Sequence, residues 1–219
     1  MKRWIALLTA LALIGTVALA VAAEEAKTEE AAMPKCEMVG EMGVKSFPAM
    51  KVAALMVKAA DYEPEGGYPE GMEGMMMAYE KMMTGGFETM GKWMEGGNHP
   101  TGPCCAAYYE DPEKTPSKDL TCKLMYPVGP DAKGMEKVMI EELPAMEAAV
   151  AQYKGPYEAS GEIWKALDQW VKDNGYVPAG APMEVYLKGP GDKVEPTEFM
   201  TEIRMPVMKM EKAEPKSDK

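Results

Sequence analysis

The chain has 219 residues, of which 47% are apolar and 27% charged, and its formal net charge is -11. This length is enough for one domain with a good-sized core or for two small halves. The acidic surface that the charge implies repels phosphate backbones, so the composition argues against a nucleic-acid partner. It attracts cations only in a general way.

The N-terminus has the three parts of a secretory signal over residues 1–23. Lys2 and Arg3 form a short positive region, an apolar run follows, and small residues with the A-x-A cleavage pattern precede Glu24. The same run is about long enough to span a bilayer, so a retained anchor is the alternative. The signal predicts a periplasmic or secreted protein without membrane contact after cleavage. Residues 24–40 are interpreted as a flexible lead.

The next part of the chain repeats itself weakly but in order. The segment FPAMKVAAL at 47–55 matches LPAMEAAVA at 143–151. The repeat predicts one domain over 41–207, made of a unit at 41–129 and a unit at 136–207. Each unit is expected to form a strand, a helix and a hairpin. A charged tail at 208–219 follows this domain.

The second unit has the clearer element signals. A strand is expected at 145–153, after a turn at Pro144, and alternation of apolar and polar residues predicts strands at 183–187 and 199–205. Ser160 is a candidate N-cap for a helix that ends at Asn174-Gly175.

The first unit carries a methionine-rich segment over residues 61–99, and the chain holds 23 methionines in all. Gly85-Gly86 predicts a break between two short helices in this segment. Its methionines at positions 72, 76, 83, 90 and 94 have near-helical spacing, which favours a core stripe.

Thioethers also suit Cu(I), so an exported copper-binding protein is one alternative. Its ligands would be Met75, Met76, Met83 and His99. No regular metal-ligand spacing supports this site, and the main expectation is a protein without a metal or cofactor.

The predicted fold is α+β, with two strand–helix–hairpin units related by a pseudo-twofold axis and a ligand cleft between two antiparallel sheets. The helices cover one face of each sheet, so the opposite faces are expected to meet and form the cleft. Residue parity predicts a cleft lined from both units. Its residues are Glu184, Tyr186, Glu202 and Arg204 in the second unit, with Cys105, Ala107, Lys123 and Met125 in the first.

Four cysteines in an exported chain are disulfide candidates before they are catalysts. They are Cys36, Cys104, Cys105 and Cys122. Three connectivities are open, and a Cys105–Cys122 bridge is attractive because these residues lie on neighbouring predicted strands.

Four short motifs follow one another in the second unit: Leu143-Pro144-Ala145, Gly155-Pro156-Tyr157, Glu184-Val185-Tyr186-Leu187 and Thr201-Glu202-Ile203. In order and spacing they resemble the GyrI-like small-molecule-binding domains, also called the AraC-type effector-binding domain of multidrug-sensing regulators. The resemblance implies a duplicated fold whose cleft holds an acidic residue that meets cationic aromatic ligands. This chain lacks the regulators' DNA-binding region, so it resembles a free-standing member.

The position that matches this acidic residue is Glu202. Tyr186 and Tyr157 would supply aromatic faces, and Glu184, Lys123 and Met125 complete the predicted ligand-binding set. The alternative for Glu202 is an ion pair with Arg204 or Lys123 on a solvated strand face.

The expected function is therefore binding of a small hydrophobic or cationic aromatic molecule rather than catalysis. A hydrolase is the enzymatic alternative, because some GyrI-like proteins resemble hydrolases of reactive cyclopropane rings. In that case Glu202 would act as general acid or base, assisted by Tyr186. The sequence leaves the ligand and the oligomeric state open.

Overall fold

The computed structural model describes residues 35–210. The predicted signal peptide lies outside the described residues, as do residues 24–34 of the lead and 211–219 of the charged tail. Residues 37–40 of the predicted flexible lead instead belong to the first strand, because they pair with a strand of the second unit. Within the described part, no helix is long and apolar enough to cross a membrane.

The described chain forms one antiparallel sheet with two α-helices, so the α+β class is confirmed. The elements are β1 (Glu37–Phe47), β2 (Met50–Lys58), α1 (Gly71–Glu95), β3 (Cys105–Tyr108), β4 (Thr121–Pro127), β5 (Met139–Leu143), β6 (Met146–Lys154), α2 (Gly161–Asp173), β7 (Tyr176–Pro178), β8 (Met183–Lys188) and β9 (Met200–Lys209). The three strands and the helix predicted for the second unit correspond to β6, β8, β9 and α2.

The strand order is β1-β6-β9-β8-β3-β4-β2-β5, with β7 paired to the end of β9. β3 pairs with β8, with Ala106 opposite Glu184. This pairing joins the two predicted hairpins into a single sheet, so the expectation of two separate sheets was wrong. The physical reason is that edge strands have unpaired backbone groups, which the β3–β8 ladder satisfies.

The sheet curls on the side away from the helices. β1 and β2 are separated by only Pro48 and Ala49, yet they occupy the first and seventh positions in the sheet. Since a link this short spans only about 10 Å, the two ends of the sheet must converge. Residues on this inner face, including Val52, Met125 and Val185, are buried without a helix over them.

Helix α1 runs without interruption through Gly85-Gly86, so the predicted break was wrong. A Cβ atom at Gly86 would lie 2.5 Å from Leu124 Cδ1, and one at Gly85 would overlap the ring of Tyr62. The two glycines therefore let the helix approach β4 and Tyr62 closely. This packing offsets the helix propensity that each glycine costs, about 1 kcal/mol.

The buried stripe of α1 differs from the stripe that the sequence predicts. Of the methionines in the predicted stripe, only Met90 is buried, while Met72 and Met76 are exposed. The buried residues of the helix are Gly74, Ala78, Met82, Gly86, Met90 and Trp93. The predicted stripe thus lies on a neighbouring side of α1.

The four cysteines are free thiols. Cys105 lies opposite Met125 and belongs to the inner face, whereas Cys122 lies opposite Tyr108 on the face that carries the helices. A Cys105–Cys122 bridge, the attractive one among the open pairings, is therefore excluded, because side chains on opposite faces of a sheet cannot reach each other.

Candidate functional site

A buried carboxylate lies near the middle of the sheet, on the face covered by the helices. It belongs to Glu184 of β8, which is 6% exposed. Its Oε1 accepts hydrogen bonds from the Tyr153 hydroxyl at 3.3 Å and from Trp164 Nε1 at 3.1 Å. Its Oε2 accepts from the hydroxyls of Tyr108 at 3.0 Å and Tyr186 at 3.5 Å. Four aromatic donors therefore hold one carboxylate.

Further aromatic rings surround these donors. Tyr79 of α1 meets Tyr108 edge to face, with ring centroids 5.5 Å apart, and Tyr108 meets Trp164 of α2 at 6.3 Å. The rings that surround Glu184 are called the aromatic cage here and are those of Tyr79, Phe87, Tyr108, Tyr153, Tyr157, Trp164 and Tyr186. Because α1 and α2 both contribute rings, the cage lies between the two helices.

The outer side of the cage is formed around Tyr186. Its ring meets Tyr157 at 5.3 Å and Phe87 of α1 at 6.5 Å between centroids. Tyr157 also stacks on Phe199 at 5.0 Å. The rings are in mutual contact, so a ligand that reaches Glu184 has to separate some of them.

Alternation along β8 explains why a carboxylate lies at this position. Met183 and Val185 point to the apolar inner face, so Glu184 and Tyr186 must point to the helix face. β8 lies in the middle of the sheet, with the apolar cluster on one of its faces and the aromatic rings over the other. The result is an ionisable side chain removed from water.

The environment of Glu184 favours its neutral form. Burial raises the pKa of this carboxyl, and the hydrogen bonds from Tyr108, Trp164, Tyr153 and Tyr186 only partly oppose the shift. Within residues 35–210, no Lys, Arg or His lies within salt-bridge distance of it. A buried carboxylate without a cation is energetically costly, so the site favours a ligand that brings positive charge.

Glu202 of β9 has the opposite environment, although it is just as buried, with 5% exposure. Its carboxylate accepts hydrogen bonds from Arg204 Nε at 2.7 Å, Gln152 Nε2 at 2.8 Å and Lys45 Nζ at 3.3 Å. Burial alone would raise its pKa, but the hydrogen bonds from Gln152 and Arg204 and the nearby positive charges bring the pKa below its ordinary value. Glu202 thus has the ion-paired environment considered as its alternative.

Glu184 and Glu202 lie on opposite faces of the sheet, so the expectation that both line one cleft was wrong. In the β8–β9 ladder, Glu184 lies opposite Ile203 and Val185 lies opposite Glu202. Directly opposite residues share a face, so this register separates the two carboxylates. The aromatic cage is on the helix face, not on the side predicted for the cleft.

The predicted ligand-binding residues therefore divide into two sets. Glu184, Tyr186 and Tyr157 come together in the aromatic cage. Lys123 and Met125 lie on the inner face with Glu202, where Lys123 Nζ is 2.8 Å from Glu141 Oε2 and Met125 is buried.

Sequence reasoning did not identify Tyr108, Tyr153 or Trp164 as site residues. Tyr153 shares one face of β6 with the buried Ala149 and Ala151, and Trp164 follows the buried Ile163 on α2, so each has the pattern of an ordinary core aromatic. Only the strand pairing and the helix position bring their donors to one carboxylate.

The alternative copper ligands are not brought together in the described residues. Met75 and Met83 are eight positions apart on α1, which corresponds to about 12 Å along the helix axis. Met76 is exposed, and His99 is exposed beyond the end of the helix. Within residues 35–210 there is also no group of three or more His, Cys, Asp or Glu side chains that could hold a metal ion.

A separate cavity of about 440 Å³ lies at the C-terminal end of α1. Gly96, Asn98, Asp131, Lys133 and Met135 are among the residues that line it, and no cage residue does. It contains no buried carboxylate, so the aromatic cage is the stronger candidate for a ligand site.

The antiparallel sheet, the two helices and the caged carboxylate define an α+β domain of the small-molecule-binding class. The model of the GyrI-like small molecule binding domain matches residues 65–208, and the chain belongs to this family. The resemblance seen in the second unit is thereby confirmed, and the match extends into the first unit.

Individual relatives agree with the family. A DNA gyrase inhibitor of Citrobacter koseri is 28% identical over 135 residues, which cover 58% of this chain and 86% of that protein. The EcmrR C-terminal domain is 24% identical with a TM-score of 0.60, over 78% of this chain and 98% of that structure.

EcmrR has also been solved in a DNA complex, with 24% identity to this chain, a TM-score of 0.61 and 78% of this chain covered. The present chain spans 58% of the length of that longer EcmrR chain. Since the longer protein is bound to DNA, the absence of a nucleic-acid partner stays a prediction for the present chain.

Proposed function

We propose that this protein binds lipophilic organic cations in the aromatic cage, with Glu184 as the counter-charge. The observation that carries the proposal is the contrast between two equally buried carboxylates. Glu202 has Arg204 and Lys45 beside it, whereas the donors around Glu184 are all uncharged aromatic side chains. A cationic ligand would supply the missing charge.

The cage also suits the apolar part of such a ligand. Tyrosine and tryptophan rings attract cations through their faces, and the attraction grows when water is excluded. The four hydrogen bonds fix the carboxylate before the ligand arrives, which lowers the ordering cost of binding. Entry would require movement of rings such as those of Tyr157 and Phe87, which lie at the outer side of the cage.

The proposal is tested by titrating the full chain with tetraphenylphosphonium, a lipophilic cation, and following tryptophan fluorescence, to which Trp164 contributes. Truncating one partner of a buried charge pair costs about 2–5 kcal/mol, so Glu184→Gln should weaken binding by at least about 30-fold. Glu202→Gln is the matched control, because it removes an equally buried carboxylate and should leave the affinity within about twofold.

The reverse result has a clear meaning. Weak binding in Glu202→Gln with full binding in Glu184→Gln would refute the role of Glu184. It would show that the ligand binds at Glu202, the carboxylate that the family motif indicated. Circular dichroism of both variants shows whether each is folded.

We also propose that the protein is exported and acts outside the cytoplasm as a free-standing binding domain. The support is the signal-like pattern of residues 1–23. N-terminal sequencing of protein from a periplasmic or culture fraction should find a start near Glu24. Retention of Met1 in a membrane fraction would favour the anchor.

We further infer that the domain arose by duplication, with pseudo-twofold symmetry. The support is that β2, α1, β3 and β4 follow one another as β6, α2, β8 and β9 do, and that the strand order is the same read from either end: β6-β9-β8 corresponds to β2-β4-β3. Superposition of the two halves in an experimental structure would test this inference. Halves whose strands do not superpose in the same order would refute it.

A hydrolase is a second candidate, favoured by the raised pKa of Glu184 and its contact with the Tyr108 hydroxyl. As one carbon–carbon bond of a strained ring breaks, a protonated Glu184 could give its proton to one of the two carbons while water bonds to the other and returns a proton to the carboxylate, so that the net reaction adds water across the broken bond. Product in excess of one equivalent that disappears in Glu184→Gln would support this role. A product yield that stops at one equivalent would exclude turnover.

A further inference from the structure

A second apolar stripe runs along α1 beside the buried one, and the fold of the domain buries only part of it. Its side chains are four, three, four and four positions apart, so they lie along one side of the helix. We call this stripe the methionine wall; it consists of Met72, Met76, Tyr79, Met83 and Phe87.

The methionine wall begins inside the aromatic cage. Tyr79 packs against Tyr108, and Phe87 packs against Tyr186. Met83 lies one turn from each of these two residues, on the same side of the helix. The half of the wall near Phe87 is therefore part of the proposed cation site.

The other half of the wall extends out of the cage into solvent. Met76 is 42% exposed and Met72 is 73% exposed. From Phe87 to Met72 the wall is about 22 Å long, which exceeds the size of a compact aromatic cation. An apolar strip that leads out of a site with a buried negative charge has the shape and polarity of a site for a molecule charged at one end only.

We propose that the ligand is an elongated amphiphilic cation, with its positive head beside Glu184 and an unbranched apolar chain along the methionine wall towards Met72. This inference rests on the proposed cation site and specifies the class of molecule that fills it. Methionine side chains are flexible and polarisable, so they adapt to chains of different length. Charge complementarity with Glu184 sets the direction of the molecule, head inwards and chain outwards.

The test uses the full chain and a series of trimethylammonium ions with methyl, butyl, octyl and dodecyl groups, titrated below their micelle concentrations. Burial of a methylene on an apolar surface raises affinity by about two- to fourfold, so the dodecyl ion should bind at least about 16-fold more tightly than the octyl ion. Dodecyl sulfate has the same chain with the opposite charge and should bind at least 30-fold more weakly.

The double variant Met72→Gln/Met76→Gln keeps side-chain size and removes the apolar ends of the wall. In this variant the dodecyl ion should bind less than about fourfold more tightly than the octyl ion, while the affinity for tetraphenylphosphonium stays unchanged. The matched control is Met56→Gln/Met139→Gln, two methionines that are 42% and 58% exposed on β2 and β5. This control should behave as the unmodified protein.

Equal affinity for all chain lengths, or the same loss in both double variants, would overturn the inference and leave the cation site intact if tetraphenylphosphonium still depends on Glu184. Equal binding of dodecyl sulfate and dodecyltrimethylammonium would overturn the inference by showing that charge does not direct the molecule. Loss of Glu184 dependence for every cation would instead refute the proposed function itself.

Discussion

Replacement of Gly86 by alanine tests whether α1 is held against the sheet as the structure describes. The added Cβ would lie 2.5 Å from Leu124 Cδ1 and 3.1 Å from Val57 Cγ2, and both neighbours are buried. Gly91, on the same helix, has nothing within 4 Å of its corresponding position. Alanine at either site brings the same gain in helix propensity, so the pair isolates the cost of the contact.

The expected free energies follow from two opposing contributions. Alanine in place of glycine in a helix gains about 1 kcal/mol, and overpacking a well-packed core costs about 1–3 kcal/mol. Gly91→Ala should therefore stabilise the protein by up to about 1 kcal/mol. Gly86→Ala should lie between no change and a loss of about 2 kcal/mol, which is about 1–3 kcal/mol below Gly91→Ala.

Urea denaturation followed by circular dichroism measures both variants, with the unmodified protein for reference. An equal stabilisation by the two substitutions would refute the close approach of α1 to β4. The positions of the methionine wall and of Phe87, the residue after Gly86, would then have to be revised, because both depend on that close approach.

Three further predictions follow from the ionisable groups. Because the pKa of Glu184 is raised, cation affinity should increase as pH rises through that pKa, and binding should release a proton. Calorimetry in buffers of different ionisation enthalpy measures the proton release. A binding heat that is the same in every buffer would contradict this prediction. Because the pKa of Glu202 is lowered, the ionised carboxylate stabilises the protein above the ordinary glutamate pKa, and this stabilisation is lost as pH falls through the lowered pKa. Glu202→Gln should therefore cost about 1–3 kcal/mol in urea unfolding at pH 7 and less in acid. An equal cost at the two pH values would argue against the ion pair. The half-buried Cys36 should react with a thiol reagent first, while the buried Cys104 and Cys122, whose pKa values burial raises to about 12, should react only on unfolding; early reaction of Cys122 would contradict its place in the core.

Several features of the site were predictable from the sequence. Glu184, Tyr186 and Tyr157 were named from a strand pattern and a family motif, and they do meet in the cage. Tyr108, Tyr153 and Trp164 were not, because a core tyrosine and a donor to a buried carboxylate have the same local pattern. Their distinction depends on tertiary structure: β3 lies next to β8, β6 lies two strands from β8, and α2 brings Trp164 to the same carboxylate.

The sequence by itself determined what local periodicity and composition can determine: the α+β class, the strands and helix of the second unit, and the family. It did not determine which face of the sheet Glu184 and Glu202 occupy, or whether α1 continues through Gly85-Gly86. A strand pattern fixes the relative side of neighbours within one strand, whereas the ladder register fixes the side relative to the next strand. Likewise, glycine lowers helix propensity locally, and only the packing of Leu124 and Tyr62 against α1 decided that the helix would continue.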